Sequence, residues 1–105
     1  MTLPYEGAEG FEWDRGNILK IWDSHQVHPS ECELVFANGP FGGRPDSKHS
    51  ATEERHFAFG ATNEGRLLTV IYTIRGRLLR VVNAWPMSRK ERRNYAEAIA
   101  FHTRI

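Results

Sequence analysis

The sequence predicts an α+β domain, with helices packed on an antiparallel sheet. Three observations carry that prediction. Two helix-like segments precede residue 37, three β-like runs joined by short turns fill residues 55–84, and a capped helix follows them. A chain of 105 residues makes one domain, 1–105, with residues 1–10 as a loose lead-in.

Each element has a local reason. Phe11-Glu12-Trp13 alternates apolar and polar, as a short half-buried strand does. Asp14 is placed to cap a helix by accepting from a free N–H near Asn17. Ile18, Ile21, Trp22 and His25 then form one face of that helix. His28-Pro29 breaks the chain, and Pro29 suits the first position of a second helix with Cys32, Val35 and Phe36 as its apolar stripe. Between Ala37 and Ala51, Gly39, Pro40, Gly42, Gly43 and Pro45 exclude a regular helix and predict a long loop. Arg55 to Phe59 is a strand ended by Gly60. Asn63-Glu64-Gly65 is a turn, Leu67 to Ile74 a central strand, Arg75-Gly76 a tight turn, and Leu78 to Ala84 the returning strand. These three make an antiparallel meander, which the N-terminal strand joins. Pro86 stops it, and Ser88-Arg89-Lys90-Glu91 is a capping box. The last helix carries Tyr95, Ala98, Ile99 and His102 on one face.

Composition narrows the function classes. With 40% hydrophobic and 26% charged residues, the chain is neither collagen-like, coiled-coil nor wholly disordered. Its longest apolar run is too short to span a bilayer, and Met1 to Gly10 lacks the pattern of a signal peptide. One cysteine, Cys32, gives no internal disulfide, so a cytoplasmic protein is expected. The net charge of +1 hides an asymmetry: residues 1–54 hold four Lys/Arg and ten Asp/Glu, residues 55–105 ten and three. That asymmetry suggests a polyanionic or acidic protein partner, or two halves that neutralise each other in the fold.

Most site chemistries are missing. No Gly-rich phosphate loop or dinucleotide fingerprint is present, the histidine spacings lack cysteine partners, and Cys32 lies on an apolar stripe. No cofactor or metal is expected. What remains is arginine on strands. Arg80 shares a strand face with Leu78 and Val82, and Arg55 opens its strand after Glu53-Glu54. Such arginines serve either as halves of ion pairs, with Glu54 for example, or as phosphate clamps. Metal-free RNA cleavage needs little beyond fixed cations, because a 2′-hydroxyl attacks the adjacent phosphorus and the charge on the phosphorane must be stabilised. His25 and His49 are candidates for proton transfer, because an unperturbed imidazole changes charge near neutral pH.

At these residues the sequence resembles the BrnT toxins of bacterial type II toxin–antitoxin systems. The matching pieces are Phe11-Glu12-Trp13-Asp14, His25-Gln26-Val27 and Pro29-Ser30-Glu31, then Asp46 with His49-Ser50, Glu53-Glu54-Arg55 and Gly65-Arg66-Leu67-Leu68. Leu79-Arg80-Val81-Val82, the run from Pro86 to Arg93, and Tyr95 complete them. The resemblance implies a RelE-like α+β ribonuclease fold and a toxin that cuts RNA and arrests growth. It also implies a BrnA antitoxin with a ribbon-helix-helix domain, through which alone the complex meets operator DNA. Carried over by position, Arg55 and Arg80 match the recurrent arginines of the family's site, and His25, His49 and Glu54 its polar positions.

Two departures stand out. Ser24 occupies a position that is commonly lysine, and Asn83-Ala84-Trp85 replaces a common Ser-Ala-Arg. Trp85 either stacks on an RNA base or packs under the last helix. The expected roles are Arg55 and Arg80 on the phosphate, His49 or Glu54 as base, His25 in support, and Arg89, Lys90, Arg92 and Arg93 on the RNA backbone. The alternative is a binding module without catalysis, whose basic half holds an acidic antitoxin segment. A blander third reading is a stand-alone RNA-binding protein.

Overall fold

The computed structural model of the chain describes residues 3–45 and 53–103. In order it contains β1 (Gly10–Phe11), α1 (Arg15–His25), α2 (Pro29–Ala37), β2 (Phe41–Pro45), β3 (His56–Ala61), β4 (Leu67–Arg75), β5 (Leu78–Pro86) and α3 (Arg89–Thr103). The five strands form one sheet in the order β1-β5-β4-β3-β2. The predicted α+β class holds, while the sheet differs from the expected meander in three ways.

First, β1 runs parallel to β5, with Gly10 beside Leu78 and Phe11 beside Leu79, so the sheet is mixed. Alternation along Phe11-Glu12-Trp13 reports which side faces the core but carries no information on strand direction. Second, part of the expected loop is strand β2, which pairs with β3 through Phe41↔Phe59 and Gly42↔Ala58. It lies at the sheet edge, where glycine and proline are tolerated because one row of backbone groups needs no partner. Third, Gly60 does not end β3, which continues to Ala61. A Cβ at Gly60 would stand 2.9 Å from Val35 Cγ1, so the glycine is there to let α2 approach the sheet. The tight turn also shifts by one residue. Arg75 still pairs with Leu78, and Gly76 adopts φ +62° as the first of two loop residues.

Alternate residues of the sheet face different neighbours. Ala58, Leu68, Val70, Tyr72, Leu79, Val81 and Ala84 pack with Ile21, Val27, Cys32, Val35 and Phe36 of the α1–α2 region to form the core. Within the lead-in, Pro4–Gly7 form a 3-10 turn, and Tyr5 packs edge-on against Phe36 at 5.3 Å between ring centres. The stripe on α1 is narrower than expected: Ile21 is buried, but Trp22 is 40% exposed and stacks on His28, while Asn17 is buried. Asn17 earns that place with three bonds. Its Nδ2 donates to the carbonyls of Glu12 and Val81, both at 3.0 Å, and its Oδ1 accepts from the Asp14 N–H at 2.8 Å.

The outer face carries Phe57, Phe59, Thr69, Ile71, Thr73 and Arg80. A β-bulge shapes its far end. Tyr72 pairs with Val81 and Ile71 with Asn83, which leaves Val82 without a partner. The extra residue reverses the alternation, so Arg80 and Trp85, five positions apart, share one face. Helix α3 covers the β2 end of that face, where Phe41 packs on Tyr95 at 5.6 Å and on His102 at 5.0 Å.

Candidate nucleic-acid site

Arg80 and Arg55 meet, as the sequence predicts. Both line a polar cleft of about 190 Å³ between the start of α1 and the outer sheet face, together with Lys20, Glu53 and Arg75. Arg55 directly precedes β3, and Arg75 ends β4, so three neighbouring strands each deliver one guanidinium to the cleft.

Carboxylates hold these cations in place. Asp14 grips Arg80 bidentately, Oδ2 to Nη1 at 2.9 Å and Oδ1 to Nη2 at 3.1 Å, and Glu12 Oε1 adds a third contact at 3.0 Å. Glu53 grips Arg75 in the same fashion at 3.1 and 3.2 Å, and its Oε1 lies 3.9 Å from Arg55 Nη2. Glu12 also reaches Arg75 at 3.3 Å and so bridges the two pairs. The result is an alternating string, Arg55–Glu53–Arg75–Glu12–Arg80–Asp14. The Arg80 side chain is only 14% exposed, so its fork is well fixed.

The electrostatics follow from the geometry. Hydrogen bonding from Arg80, then from the Asn17 backbone, holds Asp14 below the ordinary carboxylate range. Hydrogen bonding from Arg75 lowers Glu53. Bonds to Asp14 and Glu53 raise Arg80 and Arg75 in turn. Carboxylates held this way are poor proton acceptors near neutrality. They orient the arginines instead. Fixed forks of this kind match phosphate oxygens, which can exchange with carboxylate oxygens on the same donors.

The remaining predicted residues lie elsewhere. His49 is outside the described residues. Glu54 lines an adjoining cleft with Pro4, Glu53, His56 and Thr73, so the two clefts share Glu53, and the Glu54 carbonyl accepts from Thr73 Oγ1 at 2.8 Å. His25 closes α1, 6.1 Å from the Trp85 ring, and does not line the arginine cleft. Trp85 donates from Nε1 to Glu91 Oε1 at 3.1 Å, which joins it to the first turn of α3. Glu91 also closes the expected capping box with Ser88. Arg89, Lys90, Arg92 and Arg93 are all exposed. Burial pushes the Cys32 thiol up to about 12, as suits a packed side chain rather than a nucleophile.

Sequence reasoning missed Arg75, and it read Asp14 only as a helix cap. Asp14 does cap α1, accepting from Gly16 N at 2.9 Å, while also holding Arg80. The signal for Arg75 was available: it stands two residues after Thr73 and therefore on the same strand face.

Residues 13–91 match the sequence model of a family described as ribonuclease toxin, BrnT, of type II toxin–antitoxin system. The chain belongs to the BrnT family. The matched stretch begins at Trp13 and ends at Glu91, so it takes in every residue of the arginine cleft, whereas all of α3 after Glu91 lies beyond it. A comparison with curated proteins gives no significant match. Family membership makes this chain a ribonuclease toxin of a type II toxin–antitoxin system, with an antitoxin partner and an RNA substrate. Among the described residues, no helix is long and apolar enough to cross a membrane.

Proposed function

We propose that this BrnT protein is a metal-independent endoribonuclease that cuts RNA at the arginine cleft and so blocks translation and growth. The observation that carries the reading is the convergence of Arg55, Arg75 and Arg80 on one polar cleft. In the proposed reaction the 2′-oxygen attacks phosphorus, a base takes its proton, and the P–O5′ bond breaks as the 5′-oxygen gains a proton. Arg80 and Arg55, with Arg75 beside them, bind the phosphate and stabilise the added charge of the phosphorane, each fixed donor contributing about 3 kcal/mol. His49 is retained as the base on sequence grounds, with His25 in support. Glu54 is the alternative base, and it lines the adjoining cleft that shares Glu53. The exposed quartet Arg89, Lys90, Arg92 and Arg93 binds the RNA backbone. Each neutralising substitution there should then reduce the slope of log affinity against log salt by about 0.7.

We also propose that the neutralising partner is a BrnA-like ribbon-helix-helix antitoxin, and that the complex meets operator DNA only through it. Co-purification of a small DNA-binding protein at fixed stoichiometry checks this, and a RelE-like assignment of the fold belongs to the same proposal.

The deciding experiment is cleavage of a structured RNA in EDTA by the parent protein beside Arg80→Ala and Arg55→Ala. Cleavage that either substitution reduces about a hundredfold or more, with folding intact, supports the reading. A second reading, a binding module without catalysis, is favoured by the internal carboxylates that occupy the arginines and by Trp85 at a position commonly arginine. Intact RNA at saturating folded protein, with tight antitoxin binding, would decide for it.

A further inference from the structure

A second cavity lies on the same sheet face, away from the arginines. It measures about 210 Å³ and sits between α3 and the β2–β3 edge. Phe41 and Phe59 form its floor, Tyr95 and Ala98 its roof, and Glu91 and Asn94 its polar rim. It is smaller than sites for drug-sized ligands, which run to about 300–1,000 Å³, so it suits a single ring system.

We propose that this cavity receives one unstacked nucleobase of a single-stranded RNA whose backbone runs on to the arginine cleft. This rests on the RNA-binding reading above and adds a form of substrate to it: a strand with a base free to leave its stack.

Four observations point to that occupant. The walls are aromatic, and aromatic rings stack on any base while discriminating little among them. The polar rim then offers hydrogen-bonding groups to a base edge, since the Asn94 amide both donates and accepts. The charge is complementary to a nucleic acid: Arg89, Lys90, Arg92 and Arg93 are exposed on the same two turns of α3 that supply Glu91, Asn94 and Tyr95. Finally, Phe59 and Arg55 are four residues apart on one face, about 13 Å at 3.3 Å per residue, a span that a few nucleotides bridge. Asn94, Tyr95 and Ala98 lie beyond the residues matched to the family, so the pocket's roof belongs to the part of the chain outside that match.

The test uses the full chain and short single-stranded RNAs in which each base in turn is replaced by hydrogen. Binding is read by anisotropy with a 2′-O-methyl group at the cleaved position, and cleavage is read with unmodified sugars. One abasic position should weaken binding by the parent about tenfold. Ala98→Phe, which fills the cavity, should weaken binding of the intact RNA by a similar factor and leave the RNA abasic at that position unaffected. Asn94→Ala, an exposed substitution, should give a smaller loss confined to the same position, and it carries the test if Ala98→Phe fails to fold. An abasic series with no sensitive position overturns the proposal, as does an Ala98→Phe effect equal on intact and abasic RNA. If Ala98→Phe weakens antitoxin binding and spares RNA, the cavity holds a protein side chain and the proposal falls. Binding without cleavage by the parent would defeat the ribonuclease reading alone, with the cavity still judged by the binding arm. No RNA binding at all would defeat both.

Discussion

At the α1 end of the outer face, Arg55, Arg75 and Arg80 stand among Glu12, Asp14 and Glu53. At the α3 end of the same face, Phe41, Phe59 and Tyr95 surround a cavity, and the nearby cations are exposed. The first end resists motion, because each carboxylate restrains a guanidinium and Asp14 is itself fastened to the first turn of α1. Among the described residues, the second is held by ring packing and by an indole bond from Trp85 to Glu91. Charge development on a phosphorane demands fixed donors, whereas a flexible single strand is held well enough by stacking and long side chains in solvent. The difference between the two ends thus follows a division between chemistry and grip.

The largest expected effect breaks the rigid end directly. Arg80→Ala should lower kcat/KM for RNA about a hundredfold to a thousandfold, in a protein that still folds but with a lowered thermal midpoint because Asp14 and Glu12 lose their partner. Equal loss on an RNA that is bound but not cut would assign Arg80 to binding alone. Next comes Asn17→Ala, which removes the bonds joining α1 to β5 and to the Glu12–Asp14 segment. Orphaning those backbone groups should cost about 2–3 kcal/mol in urea unfolding. Cleavage by the folded fraction should also fall, because Asp14 is no longer held against Arg80.

How far the sequence spoke for itself differs between the two ends. Arg80 was legible from alternation along its strand, Arg55 from its place at the opening of a strand after Glu53-Glu54, and the Asp14 cap from its residue type. The string through Glu12 and Glu53 was not, since it joins residues as much as 68 apart and local pattern says nothing about such pairs. At the aromatic end, Phe41 was hidden inside a segment whose glycines and prolines read as loop. The face that Trp85 occupies was not legible either, because the bulge at Val82 adds a residue that no composition rule announces. His25 and Glu54 were grouped with the arginines by their chemistry and by the family resemblance, and the fold sets His25 outside that cleft and Glu54 in an adjoining one that shares Glu53.

A smaller effect sharpens the aromatic end. Trp85→Phe keeps a ring but loses the donor to Glu91, a bond that ties the end of β5 to α3. Unfolding free energy should fall by about 1 kcal/mol. Proteolysis within α3 should quicken at the same time, as local opening precedes global unfolding. An unchanged digestion rate would mean that the indole bond is not what secures the helix.

The smallest effect isolates the Asp14–Arg80 pair through its pH dependence. Asn caps a helix about as well as Asp, so Asp14→Asn preserves the turn of α1 while removing the charge. Because Asp14 is held below its ordinary value of 3.8, the folded state favours its ionised form. The stabilisation is therefore present above that value and is lost as pH falls through the lower folded one. Glu53 acts in the same direction and remains in both proteins. Urea midpoints of parent and Asp14→Asn should differ at neutral pH, with the parent higher. The two should converge as pH falls through the lowered folded value of Asp14. Asp14 is largely exposed, so added salt should narrow the gap at neutral pH as well. A gap that persists unchanged into strong acid would show that the difference between the two proteins does not come from the charge of Asp14. Arg80 would then owe its fixed position to Glu12.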